Sequence, residues 1–258
     1  MKLQLLPSSF DHGGAVSQRQ HLSCLIIDDC VAFDAGSLAF SCSERHRSDV
    51  RDIFISHTHL DHIAGLPIFV DDLFSVLTEP IRVHATVEMI RVLERDIFNW
   101  SIYPKFSELE NSVGRVIEYK LFEPESTFPI RHLTFQAFQV NHHEPSVGAL
   151  VTDGEVSIGV TGDTAPTELI WDAFRNCESL QAVLVECAFP NELASLAEVS
   201  HHLTPLSLSL ELEKFGRRDV PIYVMNIKPM YMDDVLDQLN DLRIPNLFTL
   251  KIGSDYEF

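Results

Sequence analysis

The run His57-Thr58-His59-Leu60-Asp61-His62 places three imidazoles and a carboxylate within six residues, directly after the apolar, strand-like stretch Ile53-Phe54-Ile55. Imidazole nitrogen and carboxylate oxygen are the donors that borderline ions such as Zn²⁺ accept, and a catalytic centre keeps one coordination position open for water. In extended chain, His57 and His59 point the same way because they are two residues apart. Asp61 and His62 come after the chain has turned and would face a second ion. A solvated surface cluster is the plain alternative, but the strand end and the partners downstream argue against it.

Those partners also follow apolar, strand-like stretches. His142 and His143 come after the alternating stretch 133–140, and Thr161-Gly162-Asp163-Thr164 comes after 156–160. Glu186 follows Ala182-Val183-Leu184-Val185, and Asn226 follows Ile222-Tyr223-Val224-Met225. Taken alone, each has an ordinary reading, such as a loop histidine pair or an aspartate capping the helix near Pro166. Together, five strand ends converging on one sheet edge can build one site. Spacing alone does not separate His142 from His143.

The elements that must position these residues are legible as interleaved strands and helices. Strands are expected near 2–6, 22–27, 30–34, 52–56, 80–85, 115–121, 132–140, 147–152, 155–160, 182–186, 221–225 and 247–251. Helices are expected at 86–98, 166–176, 204–215 and 229–242. The third has Thr204 as N-cap with Pro205 in the first turn, and Asp153-Gly154 marks a hairpin. Such an order suits two β-layers covered by helices, without internal repeats or low-complexity tracts.

Size and charge narrow the function. A chain of 258 residues with 45% hydrophobic content is long enough for one large globular domain, spanning 1–258. Thirty-eight acidic against 19 basic residues give a net charge of −19, which repels polyanions and offers no basic stripe for a nucleic-acid backbone. A small anion is a different case, because ions in a site dominate the local field. The stretch Met1-Lys2-Leu3-Gln4-Leu5-Leu6-Pro7 is broken by proline too early for a signal-peptide core, and there is no long apolar run, so a cytoplasmic protein without membrane association is expected. Five cysteines without a Cys-x-x-Cys pair fit a reducing compartment.

With its six-residue motif, later histidine and Asp163, the chain resembles the metallo-β-lactamase superfamily. Within it, the chain is most similar to class II 3′,5′-cyclic-nucleotide phosphodiesterases. That resemblance is carried by Leu5-Leu6-Pro7-Ser8-Ser9, Asp34-Ala35-Gly36-Ser37-Leu38, His57 to Leu66, the segment from Ile97-Phe98-Asn99-Trp100 to Pro104, and His202-Leu203-Thr204-Pro205. It implies an α/β (α+β) fold, an αββα sandwich with metals at one edge of the β-layers. It further implies two divalent ions, Zn²⁺ foremost. His57, His59 and His142 would hold the first, Asp61 and His62 the second, with Asp163 bridging. His142 is preferred to His143 because Pro145-Ser146-Val147-Gly148 stands at the family's offset from the ligand. Asn226 stands where the superfamily usually offers a last histidine. An amide oxygen suits harder ions such as Mn²⁺ or Mg²⁺, so a weaker or harder second site is expected. Asp34 is a candidate acceptor for a ligand imidazole, with turn formation as its alternative role.

The implied activity is metal-dependent hydrolysis of 3′,5′-cyclic nucleotides, cyclic AMP first, to 5′-monophosphates by a metal-bound hydroxide. Asp61 would orient that hydroxide, while Glu186 and His202 match the carboxylate and histidine that related phosphodiesterases use to protonate the leaving oxygen. Phe98, Trp100, Tyr103 and Phe106 are candidates for a base-stacking face. The alternatives are an RNA 3′-end processing phosphodiesterase of the same fold and a non-catalytic scaffold. The expected partner is a small anionic nucleotide rather than a large nucleic acid, and a homodimer is open.

Overall fold

The structure is a computed structural model and describes residues 1–143 and 145–258. Among the described residues, two seven-stranded sheets face one another. In chain order, the strands of the first sheet are β1 (Lys2–Leu5), β2 (Leu25–Ile27), β3 (Val31–Phe33), β4 (Asp52–Phe54) and β5 (Ile81–Ala85). After the small hairpin of β6 (Glu110–Asn111) and β7 (Gly114–Arg115) comes β8 (Ile117–Leu121), also in the first sheet. The second sheet takes β9 (Thr127–Ile130), β10 (Leu133–Gln139), β11 (Val147–Thr152), β12 (Ser157–Val160), β13 (Leu180–Glu186), β14 (Ile222–Met225) and β15 (Leu247–Thr249). The C-terminal β16 (Asp255–Glu257) returns to pair with β1, so both ends of the chain lie in the first sheet.

Phenylalanines fill the space between the layers. The Phe54 ring lies 5.1 Å from that of Phe122 and 5.2 Å from that of Phe135. On the outer face of the second sheet pack α6 (Leu169–Asn176), α8 (Pro205–Phe215) and α9 (Met232–Asp241), burying Trp171, Phe174 and Phe215. Between the strands of the first sheet, α1 (Leu38–Ser41) and α2 (Glu44–Asp49) follow β3, α3 (Leu60–Ile63) and α4 (Gly65–Leu73) follow β4, and α5 (Val87–Val92) follows β5. The αββα arrangement expected from the resemblance is the one observed. No helix among the described residues is long and apolar enough to cross a membrane.

Strand direction brings the chemistry to one edge. β3, β4, β5 and β8 run parallel, as do β12, β13, β14 and β15. β10 and β12 both pair antiparallel with β11 and therefore point the same way. Asp34, His57, His142, Asp163, Glu186 and Asn226 thus all sit at strand C-terminal ends, where loops can present side chains.

Local chemistry sets most element boundaries. Thr204 caps α8 in a reciprocal capping box with Ser207, Pro205 opens the first turn, and Gly216 in the left-handed region ends the helix. The helix expected at 86–98 is α-helical only to Val92, with a π-turn over Leu93–Ile97. Pattern reading missed α1 to α4, a short α7 (Ala194–Val199), β9 and β16. In α4 the proline falls in the first turn, where its missing N–H costs nothing. Of the expected stacking face, Phe98 and Phe106 are core residues, while Trp100 stays 59% exposed. Burial of these two rings against each other and against Phe74 therefore removes two of the four candidates.

Candidate metal centre

Asp34 organises the first layer of the site. It sits just past β3 at φ 62°, a conformation that Asp tolerates better than most residues. Its Oδ1 accepts from the Ser56 backbone N–H at 2.8 Å, and its Oδ2 accepts from the Ser56 hydroxyl at 2.8 Å and from His62 Nδ1 at 2.7 Å. A carboxylate only accepts, so the Ser56 proton is committed to Asp34 and the Ser56 oxygen must accept from His57 Nδ1, 3.0 Å away. That tautomer leaves a lone pair on His57 Nε2. The atom is buried and has no hydrogen-bond partner among the described residues. An orphaned buried nitrogen costs free energy unless something fills its direction.

His142 repeats the logic from the other sheet. Its Nδ1 donates to the His201 carbonyl at 2.9 Å, which leaves Nε2 as an acceptor 3.0 Å from His59 Nδ1. Burial holds His57 well below the ordinary imidazole range and His142 down to about 4, so both are in the neutral form that ligates metal. His57, His59 and His142 offer nitrogens within 4.8 Å of one another. Two overlapping groups, His57 with His62 and Asp163, and His142 with Asp163 and His202, meet the same limit. An unpartnered buried nitrogen on His57, converging with the neutral His142 and with His59, fits a divalent ion.

The adjacent His143 turns outward and meets the Val199 carbonyl at 2.6 Å. Asp163 is 2% exposed and accepts from His62 at 3.3 Å. Burial raises its pKa, but the charges of His62 and its neighbours outweigh that and hold it well below the carboxylate range. Asp61 lies outside these groups, and its Oδ2 accepts from Lys228 Nζ at 3.2 Å.

Beside the cluster, Glu186 is fully buried at the end of β13. Its Oε1 accepts from Thr164 N–H at 3.0 Å and from His202 Nδ1 at 2.8 Å, and its Oε2 from Ala188 N–H at 3.0 Å. Burial lowers the His202 pKa, yet the Glu186 carboxylate more than offsets this and raises it above the ordinary value. His201, in the left-handed region at φ 54°, redirects the chain so that His202 points inward.

Sequence reading missed two residues of this site. Gln20 exchanges hydrogen bonds with Asn226, and Lys228 reaches Asp61. Lys228 could have been suspected from standing two positions past Asn226. Gln20 lies in a long loop with no periodic pattern, and nothing local marks it.

Fold and site together define a metallo-β-lactamase-fold protein. Its structure superposes on the Bacillus subtilis metallo-β-lactamase fold protein YhfI with a TM-score of 0.75 at 14% identity, covering 100% of this chain and 99% of that one. The model of the anti-Pycsar protein Apyc1 family matches residues 16–209, and the chain belongs to that family. It is also 26% identical over 233 residues to a Yersinia pestis protein named "Probable 3′,5′-cyclic-nucleotide phosphodiesterase", a match covering 81% of this chain. To a 3′,5′-cyclic-nucleotide phosphodiesterase of Aliivibrio fischeri it is 27% identical over 202 residues, or 69% of this chain. The matches span 64% and 59% of those two relatives' lengths.

Proposed function

We propose that the protein is a divalent-metal-dependent phosphodiesterase that hydrolyses 3′,5′-cyclic nucleotides, cyclic AMP first, to 5′-monophosphates. The observation that carries this reading is the buried Glu186–His202 pair beside the histidine cluster. His57, His59 and His142 would hold the ion, with Asp163 adjoining, and this imidazole-rich set favours Zn²⁺. When bound, such an ion polarises a phosphoryl oxygen and lowers the pKa of a water.

The chain's own residues supply the rest. The His202 Nδ1–H is committed to Glu186, so Nε2–H is the donor left for substrate. An imidazolium has no lone pair, which argues for His202 as acid rather than ligand. As water oxygen bonds to phosphorus and the P–O3′ bond breaks, His202 passes its proton to the departing 3′-oxygen. The proton lost by the water restores the imidazolium. Asp61 is an acceptor that orients the attacking water, and Glu186 keeps the His202 ring aimed. A ribose alkoxide is a poor leaving group and needs this proton, whereas the thiolate of a thioester does not. A net charge of −19 favours a small anionic nucleotide over a large RNA.

Replacing His202 with Ala is expected to lower turnover of cyclic nucleotides by roughly 10²–10⁴-fold while metal content is unchanged. Bis-p-nitrophenyl phosphate, whose leaving group needs no proton, should lose far less. Equal losses on both substrates would remove His202 from catalysis. A panel of the four 3′,5′-cyclic nucleotides, a 2′,3′-cyclic nucleotide and a precursor tRNA tests the substrate class.

A further inference from the structure

Around Asp61 and Asp163, hydrogen-bond donors stand where a second ion would need acceptors. The backbone N–H of Asn226 can only donate, and it donates to Gln20 Oε1 at 2.9 Å. This fixes the Gln20 carboxamide with its NH₂ at the other end, 2.5 Å from Asn226 Oδ1. The Asn226 oxygen is thereby engaged, and its NH₂ is the group left facing Asp163 Oδ1 at 2.6 Å. One backbone N–H sets the direction of the whole series, so it does not depend on an arbitrary choice of amide orientation. An amide NH₂ has no lone pair to give an ion. Asp61, the other oxygen donor a second ion would need, accepts instead from the Lys228 ammonium at 3.2 Å. None of the converging ligand groups among the described residues includes Asp61.

We propose that this chain holds one ion tightly, at His57, His59 and His142, and that Lys228 supplies the second cationic position, with Gln20 and Asn226 as positioning residues. Lys228 is a point charge suited to a phosphate oxygen, and a fixed cation there does the electrostatic work without recruiting an ion. The proposal rests on reading the cluster as a metal centre but not on the identity of the substrate.

The test counts ions on the full chain. Protein equilibrated with excess Zn²⁺ is dialysed against metal-free buffer, and metal per chain is measured by mass spectrometry alongside calorimetric titration. Wild type is expected to retain one ion, and the Asn226→His/Lys228→Met double variant two. Gln20→Glu keeps the acceptor for the Asn226 N–H but removes the donor to Oδ1. The Asn226 amide should then turn its oxygen inward, giving a weaker second binding event that a purely structural Gln20 would not produce. Two tightly retained ions in wild type overturn the proposal. So does a single ion in a folded double variant, or a Gln20→Glu titration identical to wild type. Ion counts are independent of turnover, so these results are separable from failure of the phosphodiesterase reading.

Discussion

In the proposed reaction, His202 can serve as the acid only while it carries its proton. Burial works against that proton, and Glu186 holds it, so the folded pKa lies above the ordinary value near 6.5. The sign follows directly: the acid is present below the raised pKa and lost as pH rises through it. Turnover of a cyclic nucleotide should therefore fall on the alkaline side, with the limb displaced upward from about 6.5. Glu186→Gln keeps the shape but removes the charge, and the limb should move back down. A pH profile of kcat with the same limb in both proteins would detach Glu186 from this task. Sequence spacing could suggest the pair only by resemblance, since the two residues lie 16 positions apart and meet through the turn at His201.

The turn Asp34-Ala35-Gly36 and helix α3 lie against one another backbone to backbone. Ala35 N–H donates to the His62 carbonyl at 2.8 Å, and Ser23 N–H donates to the Asp61 carbonyl at 2.8 Å. A Cβ on Gly36 would stand 1.9 Å from the Asp61 carbonyl oxygen and 2.8 Å from Ser23 backbone atoms. Backbone on both sides cannot yield as a flexible side chain can. Overpacking usually costs about 1–3 kcal/mol, and Gly36→Ala should reach or exceed the upper figure. It should also weaken metal retention, because the same turn sets the Asp34–His62 hydrogen bond. Denaturant midpoints and chelator competition check both effects, and an unchanged midpoint would refute the close-approach account. In the sequence, Gly36 reads as an ordinary turn glycine, and only the packed helix shows what it must clear.

Across the whole molecule, the two layers are joined by Asp52 at the strand ends opposite those that carry the site. This β4 carboxylate accepts from Arg82 and His84 of its own sheet and, at 2.9 Å, from Arg131 in the turn between β9 and β10 of the other. Burial raises the Asp52 pKa, but the bonds from Arg82, His84 and Arg131 outweigh it and leave it well below the usual value. Its contribution is therefore present above the unfolded pKa near 3.9 and is lost as pH falls below that. Removing one member of a buried pair costs about 3–5 kcal/mol, and the partly exposed guanidiniums place Asp52→Ala at about 3 kcal/mol. Urea unfolding at pH 7 measures it, and a loss below about 0.5 kcal/mol would show that the bridge is surface decoration.

By itself, the sequence determined the strand and helix alternation, the histidine-rich motif and the strand ends that carry its partners. These signals are local: side-chain periodicity, caps, and ligand types a few residues apart. The resemblance carried by those motifs also gave the αββα sandwich. Between His142 and His143, spacing was silent and the resemblance favoured His142; the tertiary structure turns His143 outward, and it alone decided which tautomers His57 and His142 adopt. It also decided that Gln20 governs the Asn226 amide 206 residues away and that Lys228 meets Asp61. Hydrogen-bond direction depends on what stands at the other end of each bond, and in this fold the partner usually belongs to a distant strand or loop.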